Sequence, residues 1–177
     1  MSAGEGDEEA IAAEVLAGTD TIVVPLELVE DPPPGQAVER TLIQRIQTMT
    51  VGERIKLALH GNREARMLLL RDSNRLIRRF VLKNPRVNDD EIIAISKNRS
   101  ADDEVLRIIC ESREWTKNYQ IRLALVTNPK TPLVLAMRFI STLYERDIRA
   151  LAKSKNVSAT ISTQAKRVVL NRGPQGG

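Results

Sequence analysis

A short unit recurs along this chain, and it constrains the fold more tightly than any other feature. Ile55-Lys56 is followed by Asn62, Ile77-Arg78 by Asn84 and Ile121-Arg122 by Asn128, with the Asn seven residues beyond the Ile each time. Ile148-Arg149 reaches Asn156 after eight. The starts lie 22, 44 and 27 residues apart, so the middle interval spans two units, and a degenerate copy, EVLRIICESRE, fills it. An Ile at a fixed helical position packs against neighbouring units, while the next residue lies about 100° round the helix and is basic in every copy. An Asn two turns later suits a helix C-terminus because it tolerates the left-handed conformation. Pro85 and Pro129 then prevent two of these helices from continuing. One unit of this size cannot bury its own apolar stripe, so units must stack.

The composition agrees. Hydrophobic residues make up 42% of the 177 but aromatics only 3%, so the core is built of Leu, Ile, Val and Ala. Helical periodicity predicts helices over residues 40–49, 51–61, 62–71, 74–83, 89–97, 101–113, 115–127, 132–143, 145–154 and 159–171. Thr50 is the expected N-cap of the second, with Glu53 at the capping-box position. The expected fold is all-α, a right-handed α-solenoid of short stacked helical repeats over residues 40–172, with a flexible N-terminal arm and a disordered tail at 173–177.

Residues 1–39 carry ten Asp and Glu and no Lys or Arg; all 27 basic residues lie from Arg40 onward, against 13 remaining acids. The arm is thus −10 and the body +14. EEAIAAEVLA favours a helix within residues 1–17, but Gly4, Gly6 and Gly18 bracket it and leave it marginal. IVVPLELV reads as extended, with Pro25 arguing against a central strand. DPPPGQ, residues 31–36, favours polyproline II and marks a linker and domain boundary. The arm is expected to be largely disordered. Two roles stay open for it: a solubilising tail, or a segment that folds back on the basic body.

Stacking would place Lys56, Arg78, Arg122 and Arg149 in a row, with Arg75, Arg79 and Lys153 nearby. Such a ridge either solvates a face and pairs with acids of the next unit, or presents positive charge to an acidic partner or a phosphate backbone. Trp115 and Tyr119 are a packing pair or an exposed interface anchor. The acidic runs at 88–91 and 100–104 read as helix caps, because neither has the glycine and alternating ligands of a calcium loop. His60 lies at a helix end and Cys110 in an apolar stripe, and neither has the partners that catalysis or zinc binding requires. The reading is therefore of no cofactor, no metal and no catalytic residue. No apolar stretch approaches the roughly 18 residues of a membrane span. The acidic N-terminal residues have the wrong sign for a signal peptide. A cytoplasmic location is expected.

The stretch IRLALVTNPKTPLVLAMRFI, residues 121–140, resembles a unit of the bacterial leucine-rich repeat variant family, written roughly VR-x-x-VA-x-NP-x-TP-x-x-L. Arg122, Asn128, Pro129, Thr131, Pro132 and Leu135 carry the match; residues 76–85 and 148–157 match more weakly, and Asn88 and Asp89 stand where a second Thr-Pro would be. The resemblance implies HEAT-like helical stacking. An iron–sulfur segment found beside some variant repeats needs several cysteines, so the resemblance here implies a scaffold without a cofactor. The expected function is that of a non-catalytic adaptor binding an acidic protein partner through a basic repeat face. The alternative is a nucleic-acid-binding protein using the arginine-rich surface.

Overall fold

Side-chain caps punctuate the chain and set where each helix begins. In the computed structural model, which describes residues 4–32 and 40–173, the helices are α1 Glu5–Ala17, α2 Arg40–Thr48, α3 Val51–His60, α4 Arg63–Leu69, α5 Arg75–Val81, α6 Asp89–Lys97, α7 Asp103–Glu111, α8 Tyr119–Thr127, α9 Leu133–Ile140, α10 Glu145–Lys153 and α11 Ala159–Arg172. Short 3-10 turns occupy Leu26–Leu28 and Trp115–Lys117. Every regular element among the described residues is helical, as the sequence predicts for an all-α chain. The proline-rich linker at 33–39 and residues 174–177 of the expected tail lie outside the described residues.

Thr50 and Glu53 form the expected capping box, and the Thr50 amide holds the Glu53 carboxyl below the usual carboxylate range. Asn62, Asn74, Asn88, Asp102, Asn118 and Ser158 accept backbone N–H groups at the starts of α4, α5, α6, α7, α8 and α11. A cap of this kind contributes about 1 kcal/mol. Asn118 also divides the helix expected over 115–127: its side chain takes the Gln120 N–H, so α8 starts there and the residues before it form a separate turn.

The chain divides into two compact units, residues 1–87 and 88–177. In the first, α3 packs against α1, α4 and α5. Its core includes Ile55, Leu57, Leu59, Leu69 and Ile77, joined by Ala12 and Val15 of α1 and by Leu28. Residues 4–32, expected to be largely disordered, are instead ordered against this unit. Their apolar residues complete the core of the unit that follows them, and Leu28 is wholly buried. In the second unit α6 packs on α8, α8 on α9, and α11 on both α9 and α10. Val126, Ile140, Ile148, Leu151, Ile161 and Ala165 form one core cluster there.

Ile55, Ile77, Ile121 and Ile148 of the recurring unit are all at 0% exposure, as the spacing predicts. The asparagines do something other than what their position suggests. Asn128 leaves α8 with φ −82° and ψ 120°, and no described non-glycine residue has a positive φ. The buried amide is instead a brace between layers. Asn84 Nδ2 donates to the carbonyls of Ala58 (3.0 Å) and Gly61 (3.3 Å) at the end of α3. Asn128 Nδ2 donates to Ser96 (2.7 Å) and Asn98 (2.9 Å) at the end of α6. Asn62 Nδ2 does the same to Glu27 (2.8 Å) and Glu30 (2.7 Å). The last carbonyls of a helix have no intrahelical donor, so each Asn satisfies the orphans of the layer before it. For Asn62 that layer is the acidic arm itself. The braced corner is tight: a Cβ on Gly61 would lie 2.3 Å from the Leu57 carbonyl oxygen, so only glycine fits.

Candidate interaction surface

Four residues of the predicted basic ridge, Lys56, Arg78, Arg122 and Arg149, each meet oxygen acceptors of the chain. Lys56 Nζ donates to the Asp20 carboxylate and the Ile22 carbonyl, both at 2.7 Å, and this hydrogen bond holds the Asp20 carboxyl below the usual carboxylate range. Arg78 Nη1 donates to the carbonyls of Asp72 (2.6 Å) and Ser73 (3.2 Å), six and five residues back. Arg122 repeats this geometry on Thr116 (2.6 Å) and Lys117 (2.9 Å). A basic residue after the Ile thus ties down the loop that leads into its own helix. Arg149 pairs with Glu145 one turn earlier at 2.8 Å, which lowers the Glu145 pKa. Arg75 pairs with Glu5 of the arm. Arg79 is half-buried, and Lys153 is exposed at the end of α10.

Tyr119 stacks on Tyr144, ring centroids 4.1 Å apart, with Arg122 over its other side at 5.6 Å. Its hydroxyl donates to Asp147 and accepts the Tyr144 N–H, and burial followed by the Asp147 bond raises its pKa. Trp115 is half-buried in its 3-10 turn. Cys110 is buried, and desolvation pushes its thiol up to about 12, far from the thiolate that nucleophilic chemistry needs. The acidic runs cap α6 and α7, Asn88 through Glu91 N–H and Asp102 through the N–H groups of Glu104 and Val105.

Further exposed positive charge, Lys153 of the predicted set included, lies at the C-terminal ends of three helices of the second unit and in the residues just beyond them. The ends of α6, α8 and α10, residues 97–99, 127–130 and 153–156, hold Lys97, Arg99, Lys130, Lys153 and Lys155, and Asp102 follows in the connection after α6. All five cations are exposed. These ends border a groove of about 360 Å³ lined by Lys97, Arg99, Thr127, Asn128, Ser154 and Asn156. Arg99 Nη2 reaches across to the Asn156 carbonyl at 3.3 Å. Sequence reasoning centred on the residue after the Ile missed this edge. The signal was present in the cations flanking each terminal Asn: Lys97-Asn98-Arg99, Asn128-Pro129-Lys130 and Lys155-Asn156.

The first unit has the same kind of edge, and there it is covered. The Asn62 backbone N–H donates to the Leu28 carbonyl at 2.7 Å, beside its two side-chain bonds to Glu27 and Glu30. Arg86, in the loop after α5, donates to the Val29 carbonyl and pairs with Asp31. Residues 26–31 therefore lie along the loop edge, held by backbone and carboxylate together.

No family model, no curated protein and no solved structure matches this chain. No helix among the described residues is long and apolar enough to cross a membrane.

Proposed function

We propose that this chain is a non-catalytic adaptor of the cytoplasm. Its short helical repeats stack as a right-handed α-solenoid, resembling leucine-rich repeat variant and HEAT-like units, and bind an acidic protein partner through a basic face. The observation that supports this reading is the charge left unmatched in the second unit. The ends of α6, α8 and α10 carry five exposed cations, against Asp102 as the one carboxylate in the connections that follow them, whereas a helix C-terminus needs only modest positive charge to satisfy its dipole. The basic face in this reading is the loop edge rather than the ridge of Lys56, Arg78, Arg122 and Arg149.

The test is capture by the full chain from nuclease-treated lysate at about 50 and 200 mM salt, with the retained proteins identified and their isoelectric points compared with those of the input. The reading expects acidic proteins to be enriched at the lower salt and released at the higher. Retention that disappears on nuclease treatment, with affinity for duplex or single-stranded DNA falling steeply over the same salt range, would replace it with the nucleic-acid reading.

A further inference from the structure

We infer that the groove between the ends of α6, α8 and α10 is a binding site for an acidic peptide segment of a partner protein. This rests on the adaptor reading and makes it specific.

The first unit supplies the pattern. There an acidic segment of this same chain lies on the loop edge in a defined way. Its backbone carbonyls at Glu27, Leu28, Val29 and Glu30 take hydrogen bonds from Asn62 and Arg86. Its carboxylates at Asp20, Glu27 and Asp31 meet Lys56, Arg45 and Arg86. The recognition chemistry is a set of amide and guanidinium donors for the backbone around the Leu26–Leu28 turn, with cations meeting the carboxylates at residues 20, 27 and 31.

The second unit presents exposed cations and amides of the same kind at the ends of α6 and α10, while Asn128 between them is already engaged with Ser96 and Asn98. Lys97 and Arg99 stand on one wall, Ser154 and Asn156 on the other, and Lys130, Lys153 and Lys155 belong to the same three helix ends. Asn98, the C-cap of α6, and Asn156, the last residue of the fourth copy of the recurring unit, are exposed. A groove of about 360 Å³ accommodates a few residues of peptide chain, not a folded surface. The described arm cannot serve both edges, because residues 20–31 are already engaged in the first unit.

A peptide is favoured over a nucleic-acid backbone for two reasons. The edge offers side-chain amides, which pair with peptide carbonyls as Asn62, Asn84 and Asn128 do. None of the residues lining the groove is aromatic, whereas single-stranded nucleic acid is held by stacking on aromatic rings as well as by charge.

The probe is a fluorescein-labelled peptide of residues 19–32 of this chain, TDTIVVPLELVEDP, titrated into the full-length protein and read by anisotropy at about 50 mM salt. The tethered arm holds its own site at an effective concentration on the order of mM, so added peptide reports the second unit. The triple variant Lys97→Glu, Arg99→Glu, Lys155→Glu is expected to weaken binding about tenfold or more. The control Lys166→Glu, Arg167→Glu, on the exposed side of α11, is expected to change it less than about twofold. The milder Lys97→Gln, Lys155→Gln keeps the Arg99 bond to Asn156 and serves if the triple variant does not fold. A peptide with all four carboxylates replaced by amides should not bind. Equal affinity of wild type and groove variants for the peptide would overturn the groove assignment and leave the adaptor reading standing. Tighter binding of a 15-nucleotide oligo-dT with the same dependence on the groove cations would overturn the peptide commitment. If the peptide does not bind at all, the groove proposal falls, and the adaptor reading falls with it only if the lysate capture also retains no protein.

Discussion

The two units are built from the same recurring element and differ in how their positive charge is treated. Residues 40–87 carry twelve Lys and Arg against three acids; adding residues 1–39 brings the first unit to twelve against thirteen. The second unit has fifteen against ten, and its acidic runs cap α6 and α7. In the first, Asn62 and Arg86 grip the backbone of an acidic strap, and α1 seals the adjacent core. In the second, Lys97, Arg99, Lys130, Lys153 and Lys155 remain exposed. An arm that looks like a tail is therefore a layer of the first unit. Its charge is matched there by Lys56, Arg75 and Arg86.

Removing residues 1–32 should break this comparison most severely. It strips Ala12, Val15 and Leu28 from the first core, all nearly or wholly buried, at a cost of about 3–6 kcal/mol. Hydrogen exchange should speed up across α3 and α5 while α8 and α10 keep their protection. Equal loss in both units would show that the arm is not specific to the first.

Asn84→Ala and Asn128→Ala come next. Each removes two donated bonds in a buried setting and strands the carbonyls they satisfied. Each should cost about 2–3 kcal/mol in urea unfolding. Similar losses would establish the brace as common to both units, and a loss in one alone would restrict it. Ile55→Val and Ile121→Val, at matched repeat positions, should each cost about 0.5–1.5 kcal/mol in the same assay.

The smallest effect is on pH. The Lys56 ammonium depresses the Asp20 pKa in the docked arm. That contribution is complete above the unfolded value of about 3.9. It is lost as pH falls through the lower, folded value. The Ile22 amide, which donates to Asp20 Oδ1 at 2.9 Å, should report the transition as an NMR shift below about pH 4. Glu145, held down by Arg149 in the second unit, titrates in the same direction without releasing a segment. A change at Ile22 near neutrality would contradict the assigned pairing.

Much of the fold was legible because its signals are local. A capping side chain reaches two or three residues along the chain, and periodicity repeats every turn, so Thr50, Asn88, Asp102 and Ser158 mark their helices directly. The buried Ile positions followed from the same periodicity. The candidate surface was legible only in part. That basic residues recur in register could be read, but what each one meets could not. Lys56 finds its carboxylate 36 residues away, and Arg86 finds its carboxylate 55 away.

By itself the sequence determined the all-helical class of the described residues, helix starts such as that of α3 at Thr50, the buried Ile of each copy and the separation of acidic from basic residues. Each follows from chemistry within one or two turns. Tertiary structure alone decided that Asn is a brace rather than a left-handed cap, that Lys56, Arg78, Arg122 and Arg149 are tied down and that the acidic arm is a structural layer. These outcomes depend on which orphaned carbonyls and unpaired charges come together once the layers pack. Burial then makes satisfying them obligatory.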